Sequence, residues 1–241
     1  NGVINIITKS ARDTVGSQIS TVAGTYQQGM LYARQGVALS PHSWARVYVK
    51  AFARDDSEPV NVADNHDDWS QVRAGFRYDR DAGDSNHTMA TGSVFFSEGD
   101  QLVSGLPDIA RSHGGSLLVR NRRVLDDGSS LQLQAYLDSY TRDSGGNFSK
   151  ADTLDLDAVQ ETMVGGRHDL TWGANFRRSR LEDTVNSLGF RSSFDPLVRN
   201  FNQGGVYAQD VFRPAPTASL TLGAKAEYND FTVVVVLNVK G

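Results

Sequence analysis

An all-β chain folded as an antiparallel up-and-down transmembrane β-barrel is what this sequence predicts, and three observations carry the prediction. Strand-length segments alternate apolar and polar residues with a period of two. The connections between them alternate in length, tight turns taking turns with long polar stretches. No apolar run approaches the roughly 18–20 residues of a membrane-spanning helix, the longest aliphatic stretch being Val233–Leu237. A soluble sandwich or solenoid also alternates along its strands, but it has no reason to gather its long connections at one end. A barrel of the bacterial outer membrane does, because its periplasmic turns are short and its extracellular loops are long.

In chain order, Ser17–Tyr26 and Leu31–Ser40 are read as the first two strands. Trp44–Arg54 sets Ala45, Val47, Val49, Ala51 and Ala53 against Arg46, Tyr48, Lys50, Phe52 and Arg54. A long connection, Asp55–Asp68, leads to Trp69–Asp79, where Val72, Ala74, Phe76 and Tyr78 oppose Gln71, Arg73, Gly75, Arg77 and Asp79. After a brief turn at Arg80–Asp84 come His87–Ser97, a long connection Glu98–Ser112, and His113–Arg123. The tight turn Leu125–Gly128 precedes a strand in which Leu131, Leu133, Ala135 and Leu137 oppose Gln132, Gln134, Tyr136 and Asp138. A connection at Arg142–Asp152, the strand Thr153–Met163 and a turn at Gly165–Gly166 follow. Asp169–Arg180, the longest connection Leu181–Asn202, Gln203–Arg213 and a turn at Pro214–Thr217 lead to the last clean strand. There Leu220, Leu222, Ala224, Ala226 and Tyr228 oppose Ser219, Thr221, Gly223, Lys225 and Glu227.

Each segment thus has one apolar wall and one wet wall, because side chains alternate across a pleated strand. The count is about eleven strands, each near the roughly 9–11 residues that cross a bilayer at a tilt. Trp172 and Tyr228 fall on the apolar parity near strand ends, as an aromatic girdle would; Trp44 and Trp69 fall on the polar parity.

The chain has 241 residues, 39% of them hydrophobic, and a net charge of −4. Its mean hydropathy is −0.39 and its pI about 5.7. That composition fits a barrel, whose strands dilute apolar residues with lumen-facing polar ones. Cations are spread through the strands, so nucleic-acid binding has no electrostatic support. Cysteine is absent, which gives no support to disulfides or thiolate metal sites. Asn1 is not preceded by a basic and apolar leader, so an exported protein read from here is expected to be a fragment.

Candidate chemistry is sparse. Five histidines, His42, His66, His87, His113 and His168, lack ligand spacing. Asp64, His66, Asp67 and Asp68 form an acidic cluster that could take a cation, although a solvated loop is the preferred reading. Asp126-Asp127 before Gly128 is hairpin chemistry, not a catalytic dyad. Ser104-Gly105 and Ser144-Gly145-Gly146 lack the strand–elbow–helix context of a nucleophilic serine, and no catalytic, cofactor or metal residue is assigned. Arg46, Lys50, Arg73, Arg77, Arg120, Arg122 and Arg177 would line the wet wall among Gln132, Gln134, Asp138 and Glu227. They could contact an anionic ligand; pairing with wall neighbours or with an enclosed plug is preferred. No residue set singles out a ligand.

Asn1-Gly2-Val3-Ile4-Asn5-Ile6-Ile7-Thr8-Lys9, with Asp13-Thr14 and Gly16 opening the first strand, resembles the end of the plug domain of TonB-dependent outer-membrane receptors. His168–Arg177, Val206–Asp210 and Leu220–Asp230 are similar to barrel strands of that family, most of all its siderophore and iron-complex branch. The resemblance implies a 22-stranded barrel with a plugged lumen, of which this chain supplies about half. Residues 1–15 would be the C-terminal end of the plug and its linker, and 16–232 the N-terminal half of the barrel. Residues 233–241 would be an atypical tail, since the run Val233–Val236 has no polar alternation and Gly241 is not the usual terminal aromatic. The implied function is TonB-dependent uptake of a ferric siderophore or similar metal complex across the bacterial outer membrane, without catalysis. Its partners would be outer-membrane lipid, the TonB complex acting through the plug, and the extracellular ligand. A passive porin-like or structural barrel is the alternative.

Overall fold

The amides and carbonyls of extended segments are satisfied by neighbouring strands, and the computed structural model pairs these segments in one sheet. It describes residues 8–57, 66–83, 85–103, 105–187 and 190–240. A short 3₁₀ turn, Arg12–Thr14, precedes twelve strands: β1 Gly16–Val22, β2 Gly29–Ser40, β3 Ser43–Arg54, β4 Trp69–Asp81, β5 Asn86–Val103 and β6 Leu106–Val124, then β7 Ser130–Ser144, β8 Asn147–Val164, β9 His168–Ser187, β10 Phe190–Ala215, β11 Ala218–Asn229 and β12 Thr232–Lys240. Strand order follows chain order, β1 to β12, and every adjacent pair is antiparallel. Among the described residues β1 and β12 are the two edges of an open sheet.

Register makes the parity of each strand agree with its neighbours. Val49 faces Ala74, Ala74 faces Val94, and Val94 faces Gly115. Further on, Ala135 faces Leu156, Leu156 faces Phe176, and Ala174 faces Val206. The result is a continuous apolar face that none of the described residues covers. Val47 is 57% exposed, Phe96 64% and Val206 58%. Only Ala11 and Met89 are buried hydrophobic residues among those described. A sandwich would hide these side chains between two layers, so that alternative is ruled out. The outward face needs an apolar surrounding, because exposed apolar patches on soluble monomers rarely exceed a few hundred Å².

Three of the expected long connections are strands instead. β5 and β6 pair as far as Val103 with Leu106, β7 and β8 as far as Ser144 with Asn147, and β9 and β10 as far as Ser187 with Phe190. Glu98–Ser112, Arg142–Asp152 and Leu181–Asn202 therefore continue the sheet beyond its apolar band. Both faces of these extensions carry polar residues, so hydrophobic alternation vanishes while main-chain pairing goes on. Gly145 and Gly146, at φ 58° and 74°, close one of them in a two-residue turn that needs positive φ at both positions.

The asymmetry between the two ends survives as strand length. β9 and β10 run 20 and 26 residues, against 12 each for β2 and β3. All overshooting strands project from one rim, which also carries the wide connection after Arg54, of which 58–65 lie outside the described residues. At the opposite rim neighbouring turns are tied together. Asp81 N donates to His42 O at 2.9 Å, Val124 N to Ser85 O at 2.6 Å, and Arg213 N to Arg167 O at 2.8 Å. The first strand ends at Val22, before the expected Tyr26. Tyr26 O instead accepts from Asp55 N at 2.9 Å, and Gln27 Nε2 reaches Gly29 O and Ala53 O, so this stretch ties one wide connection to the next. The stretch from Thr232 adds a twelfth strand, paired with β11 from Asn229–Thr232 to Thr221–Lys240.

Aromatic rings lie on glycines across the ladders. Tyr48 faces Gly75, Phe76 faces Gly92, Phe95 faces Gly114 and Tyr207 faces Gly173 in register. A Cβ on Gly173 would sit 2.7 Å from the Tyr207 ring and 2.6 Å from Ala158 O. Such a pair returns to the glycine the contact its missing side chain cannot make. We predict that Gly173→Val lowers unfolding free energy by about 1–3 kcal/mol through overpacking. Gly29→Ala, where an added Cβ meets nothing within 4 Å, is expected to have little effect. Urea unfolding in detergent micelles distinguishes the two.

Candidate functional site: the polar inner wall

The parity opposite the apolar face collects the wet residues, and near the short-turn rim it holds the segment entering β1. Asp79 on β4 is the centre of this contact, 2% exposed. Its Oδ2 accepts Ala11 N at 2.6 Å and Arg77 Nε at 2.7 Å, and its Oδ1 accepts Arg77 Nη2 at 2.9 Å. Arg77 then spends Nη1 on Thr8 Oγ1 at 2.7 Å. From β3, Arg46 Nη1 donates to Lys9 O at 2.9 Å, and the Arg12 guanidinium lies over the Trp44 ring, 5.2 Å from its centre. Thr14 Oγ1 caps the turn by donating to Ser10 O at 2.9 Å. Gly36 lets this segment come close: a Cβ there would lie 2.0 Å from Thr14 O. The chain therefore reaches its first strand along the inside of the wall, held mostly through its main chain.

Other wall cations find partners on the wall. Arg120 donates to Gln134 Oε1 at 2.8 and 2.6 Å, Arg177 to Asp155 at 2.8 Å, and Arg122 to Glu161 at 3.2 Å. Lys225 lies 2.6 Å from Glu227, and Tyr136 OH donates to Asp138 at 2.9 Å. Lys50 and Arg73 lie over the Phe52 and Phe95 rings, 5.5 and 5.2 Å from their centres. Trp44 and Trp69, the two aromatics on the polar parity, are explained by the same wall: Trp44 stacks with Arg12, and Trp69 meets Phe52 edge-on at 4.6 Å. Trp172 and Tyr228 are on the outward face, 51% and 53% exposed.

The remaining candidates are dispersed. His87 lies 2.5 Å from Asp81, His168 bonds Asp210 at 2.7 Å, and His113 stacks on Phe96. Among the described residues no three His, Asp or Glu side chains come together as metal ligands. The acidic connection is knitted by its own caps. Asp67 accepts Ser57 N at 2.8 Å and Ser57 Oγ at 2.7 Å, while Asp56 Oδ1 takes the Asp67 and Asp68 amides at 2.6 and 2.9 Å. Asp64 and Ser104 lie outside the described residues. Asp127 closes its hairpin by accepting Ser129 N at 2.9 Å, and Ser144 Oγ sits 2.5 Å from Gln101 Nε2. Sequence reasoning had Asp79 only as one more wet-wall position and passed over Gly36. The available signals were a carboxylate two residues after Arg77 on the same face and an isolated glycine within a strand, which marks close backbone approach.

Two predictions follow from this geometry. Asp79→Ala leaves Arg77 without its partner in a nearly closed site and is expected to cost about 3–5 kcal/mol. Hydrogen exchange at the Ala11 amide checks it, since protection there should be lost before that of the β3–β4 ladder. At the opposite rim, hydrogen bonds from Ser57 hold the Asp67 carboxyl below its ordinary value. Burial, and then Asp100, push the Asp68 carboxyl above its own. The Asp67 contribution to loop order is present above the ordinary carboxylate range and lost as pH falls through the lowered value. The Asp68 contribution runs the other way, present at low pH and lost as pH rises through the raised value. Carboxyl carbon resonances followed by NMR should titrate in the order Asp67 before Asp68 as pH increases.

Comparison with known proteins agrees with this architecture. A family model described as TonB dependent receptor-like, beta-barrel, matches residues 3–239. The sheet is similar to the siderophore receptor PirA from Pseudomonas aeruginosa at 12% identity, with a TM-score of 0.65 over 92% of this chain and 38% of that one. Similar values hold for PirA from Acinetobacter baumannii, at 12% identity and TM-score 0.66, covering 92% and 40%. PiuA from the same organism gives 10% identity and TM-score 0.65, covering 93% and 45%. No curated protein matches the chain in sequence. The chain spans less than half the length of each of these receptors, and at such identities the likeness is one of fold. With the family model running almost from end to end of an open antiparallel sheet that has a polar inner wall and an uncovered apolar outer one, this chain belongs to the TonB-dependent receptor β-barrel family.

Proposed function

We propose that this chain is part of a receptor that takes up a scarce ligand, a ferric siderophore or a similar metal complex, across the bacterial outer membrane. Residues 1–15 are the end of a plug and its linker, and the strands from Gly16 on, with β12 in place of the expected tail, are the N-terminal half of the barrel. The short-turn rim faces the periplasm, and the overshooting hairpins face the outside. The observation that carries this reading is the route of Thr8–Val15 along the inner wall, anchored by Arg46, Arg77 and Asp79. A chain that enters its first strand from the lumen side comes from something inside the barrel, which a plugged receptor has and an open pore lacks. Long hairpins then capture the ligand at the outer rim, and the inner-membrane TonB complex acts on the plug to let the ligand through. No wall residue needs to do covalent chemistry in this scheme.

The test is uptake of ⁵⁵Fe-labelled chelates by cells that carry or lack the full reading frame containing this chain. Accumulation is expected to require both the reading frame and a functional TonB complex. Uptake that persists without TonB would favour a passive pore, and no change on deleting the frame would remove the receptor assignment. Residues 1–241 alone are expected to give no TonB-driven accumulation, because they supply about half a wall of the 22-stranded type.

A further inference from the structure

The outward face is apolar along its middle, but from β5 to β10 it carries a groove of about 810 Å³ with a different upper edge. Below lie Val94, Leu137 and Leu154; above lie Arg178, Arg180 and Asn200. Register puts these on one face: Leu154 opposes Arg178, and Asp152 opposes Arg180, which opposes Asn200. Arg178 and Arg180 are exposed and, among the described residues, make no hydrogen bond or ion pair.

Their neighbours make this informative. Asp152, directly across from Arg180, gives its oxygens elsewhere, to Ser139 Oγ at 2.7 Å and Lys150 Nζ at 3.6 Å. Arg111, on the same outward face, is held by Glu98 at 2.6 Å. Two guanidiniums two residues apart on one strand face repel each other. The carboxylates on that face are Asp152, opposite Arg180 and lining the groove, and Glu182, opposite Lys150. Among the described residues neither bonds a guanidinium, so Lys150, Arg178 and Arg180 leave the edge one positive charge in excess. Arg178 and Arg180 stand at the point where Phe176 ends the apolar part of β9, so an amphiphile lying against the wall would bring its head group to them. Guanidinium forks match phosphate oxygens in geometry as well as charge.

We propose that this groove is a docking site for a phosphate-bearing membrane lipid, with acyl chains against Leu137 and Leu154 and the phosphate between Arg178 and Arg180. The inference rests on the outer-membrane placement proposed above, and the lipid would belong to the leaflet at the long-hairpin rim. It would be a structural lipid on the outside of the wall, separate from any ligand in the lumen.

The full-length receptor containing this chain, purified in neutral detergent, is titrated with dioctanoyl phosphatidic acid, dioctanoyl phosphatidylcholine or inorganic phosphate. Retained molecules are measured by native mass spectrometry. Phosphatidic acid should be preferred over phosphatidylcholine, and its binding should weaken about thirtyfold in the double variant Arg178→Gln/Arg180→Gln. Arg123→Gln removes an exposed cation from the same face at the opposite rim and should change nothing. Equal retention of both lipids, or a preference that survives the double variant, overturns the proposal and leaves the membrane placement standing. Inorganic phosphate binding as tightly as phosphatidic acid also overturns it, since the apolar half of the groove would then contribute nothing. A receptor that retains no lipid of any kind would remove the placement and the proposal together.

Discussion

Main-chain pairing is the constraint on which everything else in this molecule depends. Two buried hydrophobic side chains among the described residues cannot hold a 241-residue chain together. What does so is the ladder, continuous in strand order from β1 to β12, in which each inner strand pairs with a neighbour on both sides through the apolar band. In hydrocarbon an unsatisfied backbone group costs several kcal/mol, so a sheet paired on both sides across its apolar band suits a lipid surrounding. Side chains are then released from core duty. They grade the two faces, apolar towards the surroundings and polar towards the lumen, and they fill local gaps, as Tyr207 does over Gly173.

The same constraint explains how much could be read from the residues. Within the apolar band, alternation and register must agree, so Trp44–Arg54 and Trp69–Asp79 were legible to within a residue or two of β3 and β4. Above the band that coupling disappears. Leu181–Asn202 has no hydrophobic period because neither of its faces meets an apolar surrounding, yet its backbone pairs on almost to the tip, interrupted by a register shift between Ser193 and Val198. A search for periodicity registers such a ribbon as a loop. The stretch after Phe231 failed in the opposite way: Val234 and Val236 occupy inward positions opposite Glu227 and Lys225, so a genuine strand showed no polar parity.

The site was partly legible. That wall arginines would pair with neighbours or with an enclosed segment followed from parity, and Arg120, Arg177, Arg46 and Arg77 do so. The pivot was not foreseeable, because Asp79 acquires its importance from Ala11, 68 residues earlier, and only the fold brings the two together. The same holds for Arg178 and Arg180. Their sequence reads as a charged strand end, and only the register shows that the carboxylate facing Arg180 is engaged with Ser139 and Lys150.

The stitched turns at the short rim have a mechanical consequence. Because His42, Ser85 and Arg167 each accept an amide hydrogen from the adjoining hairpin, loads applied there pass sideways from one turn to the next instead of prising single hairpins apart. That edge behaves as a hem. A turn there cannot splay without drawing its neighbour with it.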